Sequence, residues 1–99
     1  MARTVTWSDR ARSDLRLAIE FMARNSPETA EQFGYAVMEA TRSLSELSER
    51  GRLVPELSDP SVREIFLVRY RIVYEVFPDH VGIVRIIHSS RDFIPAWGR

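Results

Sequence analysis

The residues best suited to chemistry are five arginines in the second half of the chain: Arg63, Arg69, Arg71, Arg85 and Arg91. Against them stand Glu64, Glu75 and Asp79, so the stretch is modestly positive. Guanidinium groups grip phosphate or carboxylate with a planar fork of donors. Arg71 and Arg85 fall on neighbouring predicted strands, where they form a positive patch if both point away from the helices. Cross-strand pairing with Glu64 and Glu75 is the competing reading, and antiparallel geometry permits it. His88, followed by Ser89-Ser90-Arg91-Asp92, stands where a general acid or base could act. It serves equally well as a hydrogen-bonded strand end, whereas His80 sits in a turn and reads as solvated. An enzyme built from this set would pair acid–base chemistry with arginine stabilisation of phosphate charge, which is a workable ribonuclease design.

Other chemistries find no support. The chain has no cysteine, so it offers no thiolate nucleophile, disulfide framework or cysteine metal site. It carries no glycine-rich phosphate loop, nucleophile elbow or H-E-x-x-H helix. Two isolated histidines do not make a metal site, and neither a metal nor a cofactor is expected. All 14 basic residues are arginine, a bias that arginine-rich codon usage explains as well as phosphate recognition does. Formal net charge is zero, which opposes strong binding to naked nucleic acid, since counterion release supplies much of that affinity. No apolar run approaches the ~20 residues of a membrane span and no secretion signal opens the sequence, so a cytoplasmic protein is expected.

The elements that must position these residues follow from periodicity. Thr4–Trp7 alternates as a short strand. Ser8 is an N-cap, and Leu15, Ala18, Ile19 and Met22 place an amphipathic helix over 9–24. Ser26 and Pro27 start a second helix. Its stripe runs Ala30, Phe33, Val37, Ala40, Thr41, Leu44 and Leu47, and Gly51 is placed to end it. The charge pairs Arg10–Asp14, Arg16–Glu20, Glu20–Arg24, Arg42–Glu46 and Glu46–Arg50 read as solvated helix faces. Residues 52–61 are expected to be loop. Val62–Val68, Tyr70–Phe77 and Val81–His88 then alternate with period two as an antiparallel meander. The expected fold is a single α+β domain over 1–99: a short strand, a helical hairpin and a three-stranded meander, with the helices on one sheet face. Tyr70, Ile72, Tyr74 and Val76 should meet the helices, leaving Arg71 on the open face.

Four blocks carry a resemblance: Gly51-Arg-Leu-Val-Pro-Glu56, Val62-Arg-Glu-Ile65, Tyr70-Arg-Ile-Val-Tyr74 and His88-Ser-Ser-Arg-Asp92. Together with the element order, they resemble toxins of the RelE/ParE superfamily of type II toxin–antitoxin systems. The resemblance implies a growth-arresting, plasmid-stabilisation type of protein neutralised by an antitoxin that wraps it. It also implies one of two targets: DNA gyrase for the ParE-like branch, or ribosome-bound mRNA for the RelE-like interferases. On the nuclease pattern, Arg71 and Arg91 take the places of phosphate-stabilising arginines, and Arg63 lies on a strand bearing basic residues in RelE. Glu56 resembles the carboxylate base of the YoeB branch, and His88 lies near its acid position. The C-terminal tyrosine of RelE-like enzymes is absent, Trp97 being the nearest aromatic, and the strand lysines are missing. With the neutral charge and the long hairpin, these departures favour the ParE-like branch. That branch implies a binder of gyrase rather than an enzyme, with no membrane or specific DNA contact of its own.

Overall fold

The computed structural model describes residues 2–98. The chain runs β1 (Thr4–Trp7), α1 (Asp9–Ala23), α2 (Pro27–Ser43), β2 (Arg52–Leu53), β3 (Val62–Leu67), β4 (Tyr70–Val76), β5 (His80–His88) and α3 (Phe93–Trp97). Both long helices start where their capping residues predict. Ser8 Oγ accepts from the Ala11 N–H and Ser26 Oγ from the Thr29 N–H, and Pro27 opens α2.

The second helix is shorter than its apolar stripe implies. It ends at Ser43, where the N–H groups of Leu44 and Ser45 donate to carbonyls only three residues back. Leu44 is its last core residue, and Leu47 is 59% exposed. Arg42, Glu46 and Arg50 therefore do not share one helix face, and Arg50 donates to Ser43 Oγ instead.

The sheet has five strands in the order β1-β5-β4-β3-β2. β3, β4 and β5 form the expected meander, with β1 parallel to β5 on one edge. The expected loop over 52–61 holds β2, which pairs with β3 on the other edge. Ile72 and Tyr74 face the hairpin, in one core with Phe33, Val37, Leu44, Ile83 and Ile86. Tyr74 Oη accepts from the buried Gly51 N–H at 2.9 Å. A Cβ at residue 51 would lie 2.6 Å from both the Glu64 carbonyl oxygen and Tyr74 Oη, so only glycine fits this crossing.

The face away from the hairpin is not open. Val54, Val62, Val73 and Ile87 form a second core with Phe93, Ala96 and Trp97 of α3. Its strand-side residues alternate as expected until β5, where Val73 pairs with Arg85 but Tyr74 pairs with Ile83. Val84 is the extra residue of a β-bulge, and the slip exchanges the faces of everything after it. Ile86 thereby joins the hairpin core, while Arg85 and Ile87 turn toward α3.

Candidate functional site

Arg71 is 7% exposed, not displayed on an open surface. Strand alternation sends it toward α3, where its guanidinium lies 4.4 Å from the Phe93 ring centroid. Its Nε donates to Glu64 at 2.5 Å, and its two terminal nitrogens fork onto Glu56 at 2.9 and 2.7 Å. Glu64, from the adjacent strand β3, also accepts from Arg52 Nε at 2.8 Å. Val54, buried in the second core, anchors the loop that delivers Glu56. Two arginines thus meet two carboxylates, and the cluster is neutral. Guanidinium and aromatic groups alternate through it, with Arg52 4.7 Å and Arg71 5.9 Å from the Phe66 centroid. The carboxylates favour the charged form of Arg71 and raise its pKa, with Glu56 the larger contributor.

Arg85 is equally committed. At 5% exposure, it donates to Asp14 at 2.8 and 3.2 Å and to the carbonyls of Ala96 and Trp97. Asp14 also accepts the Ile86 N–H at 2.9 Å, on the length of β5 that β1 leaves uncovered. Asp14 therefore seals a sheet edge rather than pairing with Arg10 on a solvated face. Among the expected helical pairs, Arg16–Glu20 forms on the surface at 3.4 Å.

The remaining sequence-derived candidates lie elsewhere. Arg63 donates to the carbonyls of Gly51 and Glu49 at the β2 edge of the sheet. His88 pairs in register with Tyr70, at the end of the sheet beside α1, and its ring makes a T-shaped contact with Tyr70 at 5.0 Å. Arg91 lines the same shallow pocket as His88 and Tyr70. Glu56 and Arg71 are brought together, as are His88 and Arg91, but on opposite faces of the sheet, with Arg63 apart from both. Trp97 is buried in a stack on Phe93, and His80 stacks on Phe77 with its Nδ1 2.7 Å from Asp79. Among the described residues no group of acidic residues and histidines could hold a metal ion.

The family profile described as "ParE toxin of type II toxin-antitoxin system, parDE" matches residues 5–93. The chain belongs to this ParE toxin family. It is 36% identical over 88 residues to Toxin RelE2 of Caulobacter vibrioides, covering 88% of this chain and 96% of that protein. Its fold is similar to that of a chain in the chromosomal ParDE toxin–antitoxin system from P. aeruginosa, with a TM-score of 0.73 and 21% identity. That match covers 88% of this chain and 96% of the other. A chain of the RelBE2 toxin–antitoxin complex from Mycobacterium tuberculosis is also similar, with a TM-score of 0.59, 24% identity and coverage of 89% and 99%. The strand, helical hairpin and meander expected from the sequence are the architecture these folds share. No helix among the described residues is long and apolar enough to cross a membrane.

For this ParE-family chain, sequence reasoning missed α3 altogether. Its signals are present in Asp92 before the helix, Pro95 in its first turn and Gly98 in the left-handed conformation after it. Phe93 and Trp97, four residues apart, mark its buried stripe. Without α3, Arg71 was expected on an open face, although the competing cross-strand pairing with Glu64 does form. The Glu56–Arg71 fork also has a pH signature. Hydrogen bonds from Arg71 favour the carboxylate and hold Glu56 below its ordinary pKa of 4.5, against an opposing effect of burial. A carboxyl whose folded-state pKa is depressed adds stability above its unfolded pKa, and that stability is lost as pH falls through the folded value. Glu56→Gln should therefore lower the Tm at neutral pH, and the gap from the unmodified chain should close as pH falls below 4.5 and through the depressed folded value. Thermal melts across pH would show a constant gap if the fork contributes nothing.

Proposed function

We propose that this member of the ParE/RelE toxin superfamily acts as a ParE-like toxin that blocks DNA gyrase without cleaving RNA. In this reading an antitoxin segment wraps the chain and holds it inactive. The observation that carries it is the saturation of Arg71, whose guanidinium is shared between Glu56 and Glu64 beneath Phe93. A nuclease needs donors free to meet charge as it develops on the phosphorane. The five residues of the nuclease pattern are also divided in the fold: Glu56 and Arg71 on the α3 face, His88 and Arg91 on the hairpin face, and Arg63 at the β2 edge. Zero net charge adds to this, since a ribosomal target is RNA-rich.

The second reading is a ribosome-dependent mRNA interferase. It is favoured by the RelE name of the Caulobacter relative and by the direct contact between a partly exposed carboxylate, Glu56, and Arg71. Two assays on one preparation separate the readings. The purified chain should inhibit gyrase supercoiling and leave mRNA intact on translating ribosomes. Normal supercoiling at excess protein overturns the first reading, and cleavage products at the ribosomal A site establish the second.

A further inference from the structure

Arg52, Arg71 and Arg85 are neutralised by carboxylates within the fold, whereas Arg91, like Arg69, is not. It is exposed and makes no ion pair or side-chain hydrogen bond among the described residues. It lines a pocket of about 200 Å³ with Leu17, Tyr70, His88 and Asp14. The acidic member, Asp14, accepts from Arg85 and the Ile86 N–H and forms no ion pair with Arg91.

The histidine in this pocket is oriented by its neighbour. The Ser90 N–H donates to His88 Nδ1 at 3.1 Å, and Ser90 Oγ lies 2.7 Å from the same atom. A backbone N–H can only donate, so Nδ1 is the acceptor and the ring proton sits on Nε2. That N–H has no protein acceptor among the described residues. Burial raises the pKa of the neighbouring Tyr70, so its phenol remains a neutral donor. The pocket therefore offers hydrogen-bond donors and one uncompensated positive charge.

Beside it, α1 exposes two large apolar side chains four residues apart, Leu17 at 55% and Phe21 at 60%. Residues at that spacing share one helix face. Donors for an anion next to an apolar ridge match an acidic, amphipathic protein segment better than a nucleic acid. A nucleic acid would need a broader positive field than this neutral chain presents.

We propose that this pocket docks a carboxylate of an acidic amphipathic partner segment, with Arg91 and His88 Nε2 donating to it and Leu17 and Phe21 covering its apolar residues. The assignment rests on the reading that the chain is held by a partner protein, and it specifies where one anchor of that partner sits. Arg91→Glu tests it safely, since the side chain supports nothing else in the fold.

The probe is a synthetic peptide of repeated Leu-Glu-Glu-Leu blocks, titrated into the isotope-labelled chain and followed by NMR. Saturable shifts are expected at the His88 ring nitrogens, Leu17 and Phe21. Arg91→Glu should weaken binding about tenfold or more, equivalent to about 1.4 kcal/mol, and Arg91→Lys should restore most of it. Equal binding of the matching Leu-Lys-Lys-Leu peptide, tighter binding of oligothymidylate, or no shift at these residues would each overturn the assignment. The two underlying readings fail separately. Absent peptide binding overturns the pocket whatever the chain does to growth. Peptide binding by a chain that causes no growth arrest sustains the pocket and removes the toxin reading.

Discussion

Asp14→Ala should destabilise the fold by about 3–5 kcal/mol, the cost of stranding a buried charge by removing its partner. Asp14 is the carboxylate partner of Arg85, a side chain only 6% exposed, and it accepts the edge N–H of Ile86 as well. Without it, a guanidinium and a strand N–H both lose acceptors in a region water reaches poorly. For a domain of this size such a loss corresponds to a fall of more than about 10 °C in Tm. Denaturant unfolding measures it directly. The companion double variant, Asp14→Leu with Arg85→Met, should recover part of the stability, because an apolar pair often replaces a buried ion pair at little cost. Recovery should be incomplete, since Arg85 also serves the carbonyls of Ala96 and Trp97. A loss below about 1 kcal/mol for Asp14→Ala would mean that water compensates Arg85 and that the edge is not sealed as described.

Glu64→Ala is expected to be the other large effect, also about 3–5 kcal/mol. The Glu64 side chain is fully buried and accepts from Arg71 and Arg52 together. Glu56→Ala should cost clearly less, since its carboxylate is 36% exposed and Arg71 keeps Glu64 when Glu56 is removed. The order of the two variants is the discriminating quantity. Urea unfolding that ranks Glu56→Ala as the more damaging would overturn the view that Glu64 anchors the cluster and Glu56 closes it from the surface. Arg52 is half-exposed, so its bond to Glu64 should matter little by itself.

Both effects bear on function through α3. This short helix is held by its Phe93 face on Arg71 and by its C-terminal carbonyls on Arg85. The two arginines that most resembled a phosphate-binding patch therefore attach α3 to the sheet. Arg91, two residues before the helix, faces outward, as does Arg69 in the β3–β4 turn.

The sequence by itself determined the hairpin, the meander and the family, because each rests on short-range physics. Ser8 and Ser26 cap helices through bonds to N–H groups three residues ahead, and the period-two pattern of Tyr70–Val76 orients that strand against the hairpin. The toxin-family blocks are likewise contiguous runs of residues, readable without contacts. Only the tertiary structure decided what the charges do. Asp14 looked like half of a helical pair until α1 was laid along the uncovered edge of β5, 71 residues away in sequence from its partner Arg85. The faces of Arg85 and His88 depended on one bulged residue, Val84, and a slip of one position leaves no mark where apolar residues stand in adjacent pairs, as Ile83-Val84 and Ile86-Ile87 do. Whether Arg71 was open or buried depended on a five-residue helix too short to show a period. Local patterns record which face a side chain takes; what covers that face is set by parts of the chain brought there only on folding.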